Sequence, residues 1–93
     1  HWWPQAELLI AAAYMYCATG QPRYAACFSR TLDWVMRRQV DWSAGDWHRV
    51  ITPDGHVEGN KADAWKTAYH AGRAMLMCLA MLPVGDAAAR LRR

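Results

Sequence analysis

The chain has 93 residues, 54% of them hydrophobic, with six tryptophans and five methionines against 20% charged residues. A chain that short buries only about 60% of the surface its unfolded form exposes, enough for one amphipathic face but not for several segments that are apolar all round. The composition therefore fits a piece of a larger core and excludes disorder, and 6 Gly and 4 Pro exclude a collagen-like or low-complexity chain.

The formal charge of +3 comes from Arg90, Arg92 and Arg93 at the C-terminal end; without them Lys+Arg and Asp+Glu balance at 8 each. No basic stripe crosses the rest of the chain, so neither nucleic acid nor an anionic membrane is an expected partner. Cys17, Cys27 and Cys78 have no CxxC spacing, which argues against a disulfide framework or a zinc knuckle. They read as reduced, mostly buried thiols of a cytoplasmic protein. Apolar runs fall well short of the roughly 20 residues that span a bilayer, and no signal peptide is visible. His1-Trp2-Trp3 stands where an initiator Met would, so the chain is expected to begin inside a longer polypeptide.

Pro4 suits the first position of a helix, and residues 5–18 contain no breaker. Leu8, Leu9, Ile10, Tyr14, Met15, Tyr16 and Cys17 surround that helix instead of forming a stripe, the pattern of an element buried on all sides. Thr19-Gly20-Gln21-Pro22 stops it and starts the next. Over residues 22–39, Tyr24, Phe28, Leu32 and Val35 or Met36 recur at three- and four-residue steps, opposite Arg23, Arg30, Asp33, Arg37 and Arg38. That second helix has one wet face, and the short connection makes the two antiparallel neighbours.

Residues 41–63 are rich in Gly, Asp and Trp, and Pro53-Asp54-Gly55 predicts a small β-hairpin between residues 47–51 and 56–58. Trp42 and Trp47 are expected to plug this loop onto the body. A third helix, apolar all round, is expected to start near Ala68 or His70, run to Leu82 and stop at Pro83 and Gly85. One or two further turns are expected over residues 86–93. Buried, amphipathic and buried helices in that order form the pattern of a slice of an (α/α) toroid, whose inner helices all point the same way and bring their N-termini to one mouth. The greasy helices then demand the remainder of a barrel, another chain or a homo-oligomer as cover.

Two clusters sit at those N-termini. In the first, Trp3 and Glu7 are at i and i+4, so an aromatic face for the C–H side of a sugar and a carboxylate for its hydroxyls share one helix face. The same residues also read as core tryptophans with a Glu complementing the helix dipole. The second cluster runs from Lys61 to Arg73. There His70 has the side chain whose ordinary pKa suits a base that takes a proton and returns it, and Arg73 lies beside it to hold a hydroxyl or a carboxylate. An interior histidine next to an Arg ion pair is the plainer reading. His48 and His56 have no metal-ligand spacing, Ser29 and Ser43 lack a nucleophile-elbow context, and no Gly-rich phosphate loop is present. Neither a metal nor a cofactor is expected.

Trp2-Trp3-Pro4-Gln5-Ala6-Glu7, the spacer Thr19-Gly20-Gln21-Pro22-Arg23-Tyr24, Trp65-Lys66 and Tyr69-His70-Ala71-Gly72-Arg73-Ala74 together resemble the C-terminal part of the N-acylglucosamine 2-epimerase superfamily. That group includes cellobiose 2-epimerase and aldose–ketose isomerases acting on sugars such as mannose. The resemblance implies an all-α fold, the last quarter of an (α/α)6 barrel over residues 1–93, with a sugar held at the N-terminal mouth of the inner helices. It implies His70 as one of two catalytic histidines, Trp3, Trp65 and Glu7 as substrate contacts and Arg73 in a supporting role. Ala68 and Ala71 stand where the family often has Pro and Asn, and the Gly-His-x-x-Glu motif of the second histidine has no match here. The activity implied is sugar C2 epimerisation or aldose–ketose isomerisation through an enediolate, with this piece alone inactive. Two other readings fit the same residues. One is an (α/α)6 glycosidase or lyase using acids such as Glu7 or Asp46. The other is a non-catalytic helical module that binds carbohydrate through its tryptophans.

Overall fold

A computed structural model describes residues 1–82; the helix stop at Pro83 and Gly85, the turns expected over residues 86–93 and the terminal arginines lie outside the described residues. Helix α1 spans Trp2–Thr19, starting earlier than the sequence pattern indicates. Pro4 is thus inside the first turn, where its missing N–H removes no intrahelical bond. The Trp2 N–H, which the helix itself cannot satisfy, donates to the Arg49 carbonyl at 2.9 Å, so the long loop caps the helix. At the other end Gly20 takes the left-handed conformation at φ 67° and its N–H donates to Tyr16 O at 2.7 Å.

Helix α2, Pro22–Trp34, has Pro in its first turn as expected. It continues as a π-helical turn over Val35–Gln39, in which the Val40 N–H reaches back five residues to Val35 O at 2.9 Å. The widened turn buries both Val35 and Gln39, and Gln39 then braces the loop: its carbonyl accepts the His48 N–H at 2.7 Å and its side-chain amide donates to His48 O. The hairpin is present but shorter than predicted, with β1, Val50–Ile51, antiparallel to β2, Val57–Glu58, in the register Val50 opposite Glu58. Gly55 at φ 89° closes its turn.

Helix α3 spans Tyr69–Met81, and Leu82 is extended, as a residue preceding proline must be. Helix α1 is central and packs against both α2 and α3. Near its start Glu7 meets His70, and near its end the Cys17 thiol reaches Met81 O at 3.6 Å, so α1 and α3 run parallel with their N-termini together. The shared core is Trp2, Ala6, Leu9, Ile10, Ala13, Val35, Trp47, Ala71, Ala74 and Cys78. Alanines at the α1–α3 contact let the helix axes approach closely, which brings the neighbours of Ala6 and Ala71, Glu7 and His70, within bonding reach.

Two sequence expectations are corrected. Trp47 is buried in the core but Trp42 is 69% exposed, its indole N–H donating to Met36 O at 2.7 Å, so one tryptophan and not two plugs the loop. Of the cysteines only Cys78 is buried; Cys17 is exposed, because the C-terminal turn of α1 leaves the core, and Cys27 on α2 is half-buried. The two helices read as apolar all round carry bare apolar side chains, Leu8 and Tyr14 on α1 and Leu76 and Leu79 on α3, as expected of elements that need cover from outside this chain. Among the described residues nothing covers them.

A Cβ at Gly20 would meet no atom within 4 Å, so Gly20→Ala carries only the conformational penalty of a left-handed residue. It is expected to lower stability by about 1 kcal/mol, read as a shift in the urea midpoint, with Gly20→Asn costing less.

Candidate active site

The parallel N-termini of α1 and α3 bring Glu7, His70 and Arg73 into one hydrogen-bonded group. His70 Nδ1 lies 3.0 Å from Glu7 Oε1, and Arg73 Nη1 donates to Oε1 at 2.8 Å and to Oε2 at 2.6 Å. The Arg73 bond, and after it the His70 bond, hold the Glu7 carboxyl below its usual range, while Glu7 raises Arg73 further. An ionised carboxylate only accepts hydrogen bonds, so the proton of the neutral imidazole sits on Nδ1 and the Nε2 lone pair is free. Each of the three side chains is about one-third exposed, open enough for a small molecule to reach.

Aromatic rings surround His70. Tyr69 stands edge-on at 4.9 Å between centroids, Trp3 is tilted at 6.0 Å, and Trp2 meets the imidazole edge-on at 6.4 Å. Trp3 is 47% exposed, so its outer face is free beside the histidine; Trp2 is the buried wall. Four of the five residues singled out in the sequence, Trp3, Glu7, His70 and Arg73, are thus brought together. Trp65 stands apart in the loop before α3 at 84% exposure, its backbone N–H donating to Asp63 Oδ1 at 2.8 Å.

The residues missed by sequence reasoning are those that hold this loop. Asp63 accepts the backbone N–H groups of Trp65 and Lys66 and pairs with Arg49. The first two bonds depress its carboxyl most. Lys66 is buried, donates from Nζ to Lys61 O at 2.7 Å and lies 3.4 Å from Asp46 Oδ1. Its burial has no signature in the sequence, whereas an Asp two and three residues ahead of Trp65-Lys66 is a readable Asx-turn. Asp46, one of the acids a glycosidase would use, turns its carboxylate onto its own loop, accepting the Trp47 N–H at 2.6 Å. His56 pairs with exposed Asp54 at 2.8 Å on the hairpin, away from the group around His70. Among the described residues no cluster of three or more His, Cys, Asp or Glu is arranged to hold a metal ion, and no helix is long and apolar enough to cross a membrane.

The half-exposed His70, with a carboxylate on one ring nitrogen and aromatic rings around it, thus lies where two parallel helices of an all-α fold begin. Residues 1–74 match the family described as N-acylglucosamine 2-epimerase (GlcNAc 2-epimerase), and the chain belongs to that family. It is 28% identical over 78 residues to the N-acylglucosamine 2-epimerase of Mus musculus, an alignment taking in 83% of this chain and 19% of that protein. It is 30% identical over 71 residues to the D-mannose isomerase of Marinomonas mediterranea, covering 75% of this chain and 18% of that one. The structure superposes on cellobiose 2-epimerase from Spirochaeta thermophila with a TM-score of 0.79 and 30% identity, over 86% of this chain and 21% of that chain. The all-α fold is therefore that of part of an (α/α)6 barrel, and the chain spans about a fifth of the length of the relatives it matches.

The Glu7 bonds make a pH-dependent contribution to stability. Because folding lowers its pKa from the ordinary 4.5, that contribution is complete above 4.5 and is lost as the pH falls through the folded value. The stability gap between wild type and Glu7→Gln, measured by urea unfolding, is expected to be open at neutral pH and to close on acidification below about 4.5.

Proposed function

We propose that this chain is the C-terminal part of a sugar 2-epimerase or aldose–ketose isomerase, working in the cytoplasm, in which His70 is a general acid/base acting at the substrate's C2. The observation that carries the reading is the Glu7–His70 contact at 3.0 Å, which leaves Nε2 as the free nitrogen of a histidine flanked by aromatic rings. Epimerisation at C2 starts from the opened sugar, where the C2–H lies next to the aldehyde carbonyl. His70 Nε2 takes the C2 proton, the C–H electron pair moves into the C1–C2 bond and the carbonyl oxygen becomes an enediolate oxygen. Return of a proton to the opposite face of C2 re-forms the C1 carbonyl and gives the epimer, whereas delivery to C1, with the O2 proton passing to O1, forms the C2 carbonyl and gives the ketose. A second acid/base on the other face is required, and we assign it to the rest of the barrel.

In this scheme Glu7 orients His70 and stabilises the imidazolium formed after proton removal, and Arg73 keeps Glu7 ionised. Trp3 offers an apolar face to the sugar's C–H side beside His70, and the exposed indole of Trp65 offers a second one from the loop before α3. The same remaining helices would cover Leu8, Tyr14, Leu76 and Leu79, which are exposed here. The names of the relatives support the substrate class, an N-acylated hexosamine, a free hexose or a disaccharide.

The test is exchange of solvent deuterium into C2 of N-acetylglucosamine, mannose and cellobiose, followed by loss of the C2 proton signal in NMR. The full-length protein is expected to exchange at least one of these sugars, and the 93-residue chain alone none. His70→Ala in the full-length protein is expected to lower the exchange rate by about 10²- to 10⁴-fold, the usual worth of a general acid/base. Wild-type exchange by that variant would remove His70 from the chemistry. Sugar binding by the wild type without any exchange would favour a carbohydrate-binding module instead.

A further inference from the structure

Lys66 is a buried charge that the proposed chemistry does not use. Its side chain is 0% exposed although it sits in an irregular loop, where an ammonium would ordinarily reach solvent. Beyond its bonds to Lys61 O and Asp46, its Nζ lies 5.8 Å from the centre of the Trp2 indole, and the guanidinium of Arg49 lies 5.1 Å from the same ring. The Trp2 indole N–H is buried without a hydrogen-bond partner among the described residues. A buried indole is normally oriented by that bond. Here its backbone N–H bond to Arg49 O, the packing around it and the two cations are what hold the ring.

The Trp2 ring is in turn the buried wall against which His70 stands edge-on. Trp3 and Tyr69, the other rings beside the imidazole, are exposed and free to yield. Lys66 also acts along the chain: its backbone N–H donates to Asp63 Oδ1 at 2.9 Å in the segment leading directly into α3, whose second residue is His70. From these contacts we infer that Lys66 is a positioning residue for His70, fixing the imidazole through the Trp2 indole, so that Glu7 sets the proton on Nδ1 while Trp2, held by Lys66, sets where Nε2 points. The inference rests on the proposed role of His70. It differs from a loop clip, which would support stability without affecting the histidine.

The experiment is a double-mutant cycle in the full-length protein, using whichever of N-acetylglucosamine, mannose or cellobiose the wild type exchanges. Lys66→Met is expected to lower kcat per folded molecule by about tenfold while KM stays within about threefold, since a small displacement of an acid/base group costs rate and not affinity. Trp2→Phe is expected to do the same, and the double variant to lose no more than about twofold beyond the worse single one, because both changes break one chain of contacts. The His70 Nδ1–H resonance, shifted downfield by its bond to Glu7, is expected to exchange with water faster in Lys66→Met. A Lys66→Met variant with wild-type kcat, or losses that multiply in the double variant, would overturn the inference and leave the proposed function standing. Should Lys66→Met fail to fold, Asp46→Asn decides. Asp46 is on the surface at φ 63°, a conformation Asn tolerates. An unchanged melting temperature with kcat reduced by about two- to fivefold supports the inference, and an unchanged kcat overturns it. If the wild type exchanges none of the three sugars, the proposed function falls and this inference with it.

Discussion

One carboxylate joins the two helices that carry the site. Glu7 on α1 accepts from His70 and from Arg73 on α3, and it does so because those helices run parallel with small residues at their contact. Glu7 thus ties α1 to α3 at the ends where both begin. Moved elsewhere along the helix, its carboxylate would meet neither partner, and His70 would lack the acceptor that selects its tautomer.

The long loop is ordered by charge more than by secondary structure. Its β-pairing is only two residues per strand, yet Asp41 pairs with Lys61, Asp63 with Arg49 and Asp46 with Lys66. Each ion pair ties one part of the loop to another, and the Arg49 carbonyl ties the whole to the first N–H of α1. Such pairs are worth little singly at a surface. Two of them hold cations, Arg49 and Lys66, beside the buried Trp2 indole. The near balance of acidic and basic residues in the body of the chain therefore reflects internal pairing.

The helices were legible because their punctuation is local: Gly20 at a left-handed stop, Pro22 opening α2, an extended residue before Pro83. The hairpin was legible from Pro53-Asp54-Gly55, though not its short strands, since pairing length depends on the partner strand. Trp3, Glu7, His70 and Arg73 were picked out by residue type and spacing, and the structure brings them together. The π-helical turn at Val35–Gln39 was not visible, because it answers to Gln39 bracing His48 across the loop. Nor were the unequal fates of Trp42 and Trp47, identical residues five apart in one loop, of which one enters the core and the other lies on the surface.

By itself the sequence determined which segments are helical, that two of them carry more apolar surface than the chain covers, and that Glu7, His70 and Arg73 lie toward their N-terminal ends. Those properties depend on backbone preferences and on the periodicity of neighbouring residues, which are local. Only the tertiary structure decided that Glu7 bonds His70 and Arg73, that Lys66 is buried against Trp2, and that Trp65 stands away in solvent. Those outcomes depend on which residues distant in the chain meet, and a burial or a shared proton is a property of the meeting and not of either residue.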